Sequence, residues 1–134
     1  MRNLFALGCS AAACALMLYA AADEAKYREN MKQIGPTCSG LGKKIAAKDE
    51  SASADAKKLA GWFEEVHNFW KEKKAGDAMA FSITASDQFK LIARETASGN
   101  WDAAGESFKR ATATCAGCHQ AHREKAADGS WKIK

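Results

Sequence analysis

Tyr27, Met31, Ile34, Cys38, Leu41 and Ile45 recur at spacings of 4, 3, 4, 3 and 4, an apolar seam that no strand can present. An α-helix turns once in about 3.6 residues, so this period gathers all six on one face, whereas the alternation of a strand scatters them over two. The seam predicts a first helix from about Glu24 to Ala47. Gly35-Pro36 falls inside it, and a proline removes one backbone donor, so a kink is expected there.

Three further segments carry the same periodicity. After a KDESAS loop, a second helix is expected from about Ala54 to Lys73, with Leu59, Trp62, Phe63, Val66, Phe69 and Trp70 on one broad face. KKAGD breaks it, and Asp77 is the expected N-cap of a third helix, about Ala78 to Ala97, with Phe81, Ala85, Phe89 and Ile92 inward. SGN ends that helix, with Gly99 left-handed and Asn100 as the next N-cap. The fourth, about Trp101 to Ala127, aligns Trp101, Ala104, Phe108, Ala111, Cys115, Cys118 and His122 at spacings of 3, 4, 3, 4, 3 and 4. Alanine, lysine and glutamate are frequent and β-branched residues few, so no strand is expected. Four amphipathic helices with short connections predict an all-α fold, an antiparallel up-down four-helix bundle.

The N-terminus reads as a leader rather than as part of that fold. Arg2 precedes an apolar run from Leu4 to Tyr19, and Ala20, Ala21 and Ala22 precede Asp23. This is the anatomy of a secretory signal peptide with an Ala-x-Ala cleavage site. The rival, a membrane anchor, wants about 20 apolar residues, more than this run holds. A lipid anchor at Cys9 or Cys14 lacks the leucine expected three residues earlier. The organisation predicted is therefore residues 1–22 as signal peptide and 23–134 as a single domain, in the periplasm. Losing Arg2 lowers the formal charge of +4 by one, and so mild and dispersed an excess predicts no nucleic-acid partner. Of five cysteines, Cys38, Cys115 and Cys118 remain.

CAGCHQAHREK, residues 115 to 125, carries the chemistry. On a helix Cys115 and Cys118 share a face one turn apart, with the His119 imidazole beside them. Cys-x-x-Cys-His is the attachment signature of a c-type haem: each thiol adds to one vinyl group, and the histidine becomes an axial ligand of the iron. A thioredoxin-like dithiol belongs at the start of a helix in a βαβ unit, where the dipole lowers a thiol pKa. A structural zinc site needs a fourth ligand, for which His122, Cys38 or His67 can be nominated, without a second paired motif. A structural disulfide leaves His119 without a role. One motif implies one covalent haem c.

What stands on the other face of the iron decides function, since a filled position transfers electrons and an open one binds gas. In an up-down bundle the start of helix one, the start of helix three and the end of helix four share an end. His119 lies roughly 12 Å from the expected end of its helix and Met31 roughly 10 Å into the first, at about 1.5 Å per residue. Met79 falls in the first turn of helix three, at the rim, so Met31 is the better candidate. Its bland alternative is core filler. His122 shares the helix and face of His119 and is expected as a partly buried neighbour. His67 is expected at the surface, and Cys38 as a small buried hydrophobe.

Two stretches give the chain a resemblance to the class II cytochromes c, the family of cytochrome c′ and its low-spin, methionine-ligated relatives. One is CAGCHQAHREK near the C-terminus; the other is KYRENMKQIG, residues 26 to 35. The resemblance covers the mature chain in helix order and length. It implies a left-handed bundle with the haem near one end, Met31 as the sixth ligand, and Arg28 and Arg123 close to the haem and its propionates. Cytochrome c′ itself has an apolar residue at that sixth position and binds nitric oxide or carbon monoxide. Homodimers built on the first two helices are common in the family. Two departures stand out: Arg28 precedes Met31 by three residues rather than four, and position 122 is His rather than Tyr or Phe. A shift of one residue would bring Lys32 to the iron instead of Met31.

The function expected is that of a periplasmic monohaem electron carrier, not an enzyme, with His119 and Met31 as axial ligands and other exported redox proteins as partners. The alternative is a five-coordinate protein that binds nitric oxide or carbon monoxide.

Overall fold

The computed structural model describes residues 10–134, with side chains from Asp23 onward. Four helices, α1 (Ser10–Ala46), α2 (Ala52–Glu72), α3 (Gly76–Ala97) and α4 (Trp101–His122), precede a hairpin of β1 (Arg123–Lys125) and β2 (Trp131–Ile133). The expected leader, residues 1–22, lies outside the described side chains; its residues 10–22 enter only as the backbone that opens α1. Among the described residues no helix is long and apolar enough to cross a membrane.

The four helices fall where the apolar periodicity puts them. Pro36 lies inside α1. α1 and α2 end on residues held left-handed, Lys48 at φ 54° and Lys74 at φ 55°. α3 ends as expected, with Gly99 at φ 74°. There the Asn100 N–H donates to Glu95 O at 2.8 Å and the Gly99 N–H to Thr96 O at 3.1 Å, satisfying carbonyls the helix would otherwise orphan.

The expected caps are only partly realised. Asn100 is the N-cap of α4, yet its side chain makes no capping bond. Asp77 is not a cap: α3 begins one residue earlier, at Gly76, behind an extended Ala75. Asp77 sits in the first turn, where its Oδ1 accepts the Ala78 N–H at 2.8 Å and its charge complements the helix dipole.

One core cluster draws on all four helices. α2 packs on α3 and α3 on α4, while α1 packs on α2 and, more lightly, on α4. Leu41, Leu59, Phe89 and Ile92 are fully buried, and Phe89 stacks on Phe63 with centroids 5.4 Å apart. Each such side chain contributes about 1.5–3 kcal/mol by leaving water. Polar ties cross the interfaces. Ser86 Oγ donates to Ala60 O at 3.1 Å, Asn30 Nδ2 to Glu65 Oε2 at 2.7 Å, and Lys44 Nζ meets Asp55 Oδ2 at 2.6 Å.

The C-terminus differs from expectation. α4 stops at His122 rather than near Ala127, and a sheet does form, pairing Arg123 with Ile133 and Lys125 with Trp131. The cause is local. Gly129 adopts φ 81°, a conformation glycine takes at little cost. Asp128 Oδ1 accepts from Ser130 N at 2.9 Å and from Ser130 Oγ at 2.6 Å, closing the turn. Trp131 and Ile133 then favour the extended ribbon over another helical turn.

Candidate functional site

The seam that defines α1 is not uniformly sealed. Its later members Ile34, Leu41 and Ile45 are buried, whereas Tyr27, Met31 and Cys38 are only half-buried. They face a cavity of about 780 Å³, which Cys115, Cys118 and His119 also line from α4. A volume in this range suits a sizeable organic ligand.

Helical spacing explains the α4 wall. Cys118 is buried and Cys115 half-buried, one turn apart, with His119 half-buried beside them. Close packing shapes the wall as well. A Cβ on Gly117 would lie 2.9 Å from Phe81 Cε1, so only glycine lets that ring close over the turn between the two cysteines. Phe81, Phe63, Val66 and Phe108 give the cavity an apolar interior.

The three thiols are free. Burial pushes the Cys115 thiol up to about 12, with the neighbouring Cys38 and Cys118 adding to the effect. Burial also raises Cys118 and Cys38. Thiols held protonated in this way are poor nucleophiles, the opposite of what a thioredoxin-like dithiol requires. Burial, and then the charge of Arg123, holds the His119 pKa below the ordinary histidine value, which favours a neutral ring with a lone pair to donate. No group of three or more His, Cys, Asp or Glu side chains with metal-binding geometry occurs among the described residues, so the zinc reading finds no support.

The charges at the cavity are one-sided. Arg28, Lys32, Arg123 and Lys132 contribute to its lining, and among the described residues no carboxylate does. Three of these cations stand beside carboxylates set back from the cavity, Arg28 by Glu24 at 2.8 Å, Lys132 by Glu124 at 3.2 Å and Lys32 by Glu29 at 4.0 Å. The cavity therefore offers an amphipathic ligand chiefly its apolar interior, with basic side chains at the edge. A haem, a flat apolar ring with two propionates, matches that description, and the two cysteines, His119 and Met31 supply its usual protein partners. The residues present therefore fit the group.

Met31 lines the cavity and packs against the core. Lys32 also reaches the cavity, but its side chain is 77% exposed and lies 4.0 Å from Glu29 Oε2. Met79 packs against the core without lining the cavity, and its carbonyl is taken by His67 and Ser82. The comparison of helix depths changes in one respect: because α4 ends at His122, His119 stands in its last turn.

Arg28 and Arg123, both expected near propionates, meet at one residue that sequence reasoning missed. Arg28 Nη1 donates to the Trp131 carbonyl at 2.9 Å, and the Arg123 guanidinium lies 3.7 Å from the Trp131 ring centroid. Trp131 lines the cavity from the hairpin. The available signal was Asp128-Gly129 between Glu124-Lys125 and Trp131-Lys132-Ile133, a short hairpin pattern.

The other histidines separate. His122 is the partly buried neighbour expected: it lines the cavity, packs on Trp70 at 4.7 Å, and its Nε2 lies 2.8 Å from Asp77 Oδ2. A carboxylate only accepts, so the imidazole donates there. His67 departs from expectation. It is half-buried rather than at the surface, with Nδ1 3.2 Å from Met79 O, because α3 folds over that edge of α2. Cys38 also departs, lining the cavity rather than filling closed core. Comparison of the chain with protein-family models, with curated proteins and with solved structures gives no match.

Proposed function

We propose that this chain is an exported single-haem c-type cytochrome of the class II kind. It carries electrons, with Cys115 and Cys118 bonded to one haem c and His119 and Met31 as axial ligands of the iron. The fold proposed with it is an antiparallel, up-down, left-handed four-helix bundle. One observation carries this: the Cys-x-x-Cys-His group and Met31 come from different helices yet line one large cavity that carries cations and, among the described residues, no carboxylates.

When bound, the haem supplies a one-electron couple between ferrous and ferric iron. The rest is the work of the chain. Cys115 and Cys118 would hold the group by two covalent bonds, one from each thiol. His119, neutral by burial, offers its lone pair from α4. Met31 offers a soft, uncharged thioether from α1. Arg28, Lys32, Arg123 and Lys132 line the cavity and would place positive charge near the carboxylates of the bound group. Tyr27, Phe81 and Phe108 keep water from its faces.

The leader fits the same proposal. Removal of residues 1–22 would open α1 on Asp23 and Glu24, two carboxylates in a first turn where the helix dipole favours negative charge. Export would also bring the chain into the periplasm, where its partners would be other redox proteins. A homodimer on α1 and α2 is part of the proposal.

The mass and visible spectrum of the purified protein test it. Export and attachment predict the mass of residues 23–134 plus one haem, and methionine ligation predicts a low-spin spectrum. A chain that never acquires haem in a host able to attach it would overturn the proposal. High-spin iron that binds carbon monoxide readily would replace the carrier with the five-coordinate gas-binding alternative. A low-spin spectrum that survives Met31→Ala unchanged would remove Met31 as the ligand.

A further inference from the structure

The hairpin after α4 is fastened at more points than a chain end needs. The Lys134 N–H donates to His122 O at 3.0 Å, and Lys134 Nζ to Gln120 O at 3.0 Å. Ile133 packs against the core. Trp131, 46% exposed overall, turns part of its surface to the cavity.

Two arginines from opposite ends of the chain hold that tryptophan. Arg28 stands on α1 and has a divided grip. Its Nε and Nη2 take Glu24 Oε1 at 3.1 and 2.8 Å, which leaves Nη1 aimed at the Trp131 carbonyl at 2.9 Å. Arg123 stands on β1 and lays its guanidinium over the indole at 3.7 Å, with Lys125 Nζ farther off at 5.3 Å. A planar guanidinium can do each of these things, and a lysine ammonium cannot fork between Glu24 and a carbonyl in the same way.

We propose that Arg28 clamps the hairpin across the mouth of the cavity through the Trp131 carbonyl, that Arg123 fixes the indole from within the hairpin, and that Trp131 is the residue that decides what reaches the cavity from outside. The two arginines are then positioning residues for Trp131, a role separate from neutralising a bound anion. The hairpin is a wall of the site rather than a tail beyond it. Small charged reagents approach the cavity past the indole, and their access depends on the clamp.

The access half of the proposal rests on the haem assignment, and the clamp half does not, so the test has two readouts. Hydrogen exchange of the hairpin amides reports the clamp with or without haem. Arg28→Gln and the milder Arg28→Lys are each expected to speed exchange at the Ala126 and Lys134 amides, bonded to Ser130 O and His122 O, at least tenfold, with α2 and α3 unchanged. Exchange within twofold of the native chain in both variants overturns the clamp. The second readout is the rate at which hexacyanoferrate(III) takes one electron from the reduced haem protein. Trp131→Ala is expected to raise it at least threefold and Trp131→Phe to leave it within a factor of two. A Trp131→Ala rate equal to the native one, with the hairpin loosened, overturns the gating role. A chain without haem sinks the proposed function instead, and leaves hydrogen exchange to judge the clamp.

Discussion

His122 Nε2 lies 2.8 Å from Asp77 Oδ2, joining the last turn of α4 to the first turn of α3. The bond from His122, and after it the Ala78 N–H, holds the Asp77 carboxyl below the usual carboxylate range. A carboxylate depressed in the folded state adds stability that is present above the unfolded pKa of about 3.9 and is lost as pH falls through the folded value. Asp77→Asn should therefore lower the urea midpoint near neutrality and narrow its fall as pH drops below about 5. Parallel curves for the two proteins would refute the coupling.

Phe89 is the largest fully buried side chain, stacked on Phe63. Phe89→Ala removes that ring and leaves a cavity between α2 and α3, at a cost of about 3–5 kcal/mol. Equilibrium urea unfolding measures it. A loss under about 1 kcal/mol would mean that the site collapses freely, unlike a close-packed core.

Lys74 ends α2 at φ 55°, where an L side chain crowds the backbone and a glycine does not. Lys74→Gly should raise stability by about 0.5–1 kcal/mol, the relief of that crowding less the freedom glycine adds to the unfolded chain. A rise of a few degrees in Tm reports it. Lys74→Ala, which keeps the Cβ, should give no such rise.

The Cys115 thiol, pushed up to about 12 by burial, predicts slow chemistry when no haem is attached. At about pH 8 an unperturbed thiol with a pKa near 8.5 is substantially ionised. Cys115 in the folded chain should therefore react with iodoacetamide more than about a hundredfold more slowly than in the urea-unfolded chain. Peptide mass mapping of the alkylated sites decides it. Equal rates would restore the reactive-dithiol reading.

The helices were legible because their apolar seams run unbroken, and a period of 3, 4, 3 cannot be mistaken for a strand. The α4 boundary was not. Ala111, Cys115, Cys118 and His122 set a rhythm that was carried on to about Ala127, whereas the helix ends at His122 and the chain turns into the hairpin closed at Asp128-Gly129. Cys115, Cys118, His119 and Met31, which line the cavity from α4 and α1, could be named from spacing and from the Cys-x-x-Cys-His group, whereas Cys38 on the same wall was expected in closed core. The residues from the hairpin could not be named, since their place depends on contacts with α1 far away in sequence. His67 was misjudged for a related reason, since a hydrogen bond across two helices leaves no periodic trace. Asp77 was misjudged because α3 begins ahead of it at Gly76, with no polar side chain to mark the start.

Arg28 and Trp131 stand 103 residues apart, and their contact shuts a structure whose helix pairs are otherwise mostly neighbours in the chain. Closing so long a loop is slow compared with docking adjacent helices. As the chain folds, α1 to α3 can dock on their neighbours before residues 123–134 find α1, so the mouth of the cavity closes after the helices have packed. Folding in that order keeps the interior reachable from outside for as long as residues 123–134 are unplaced.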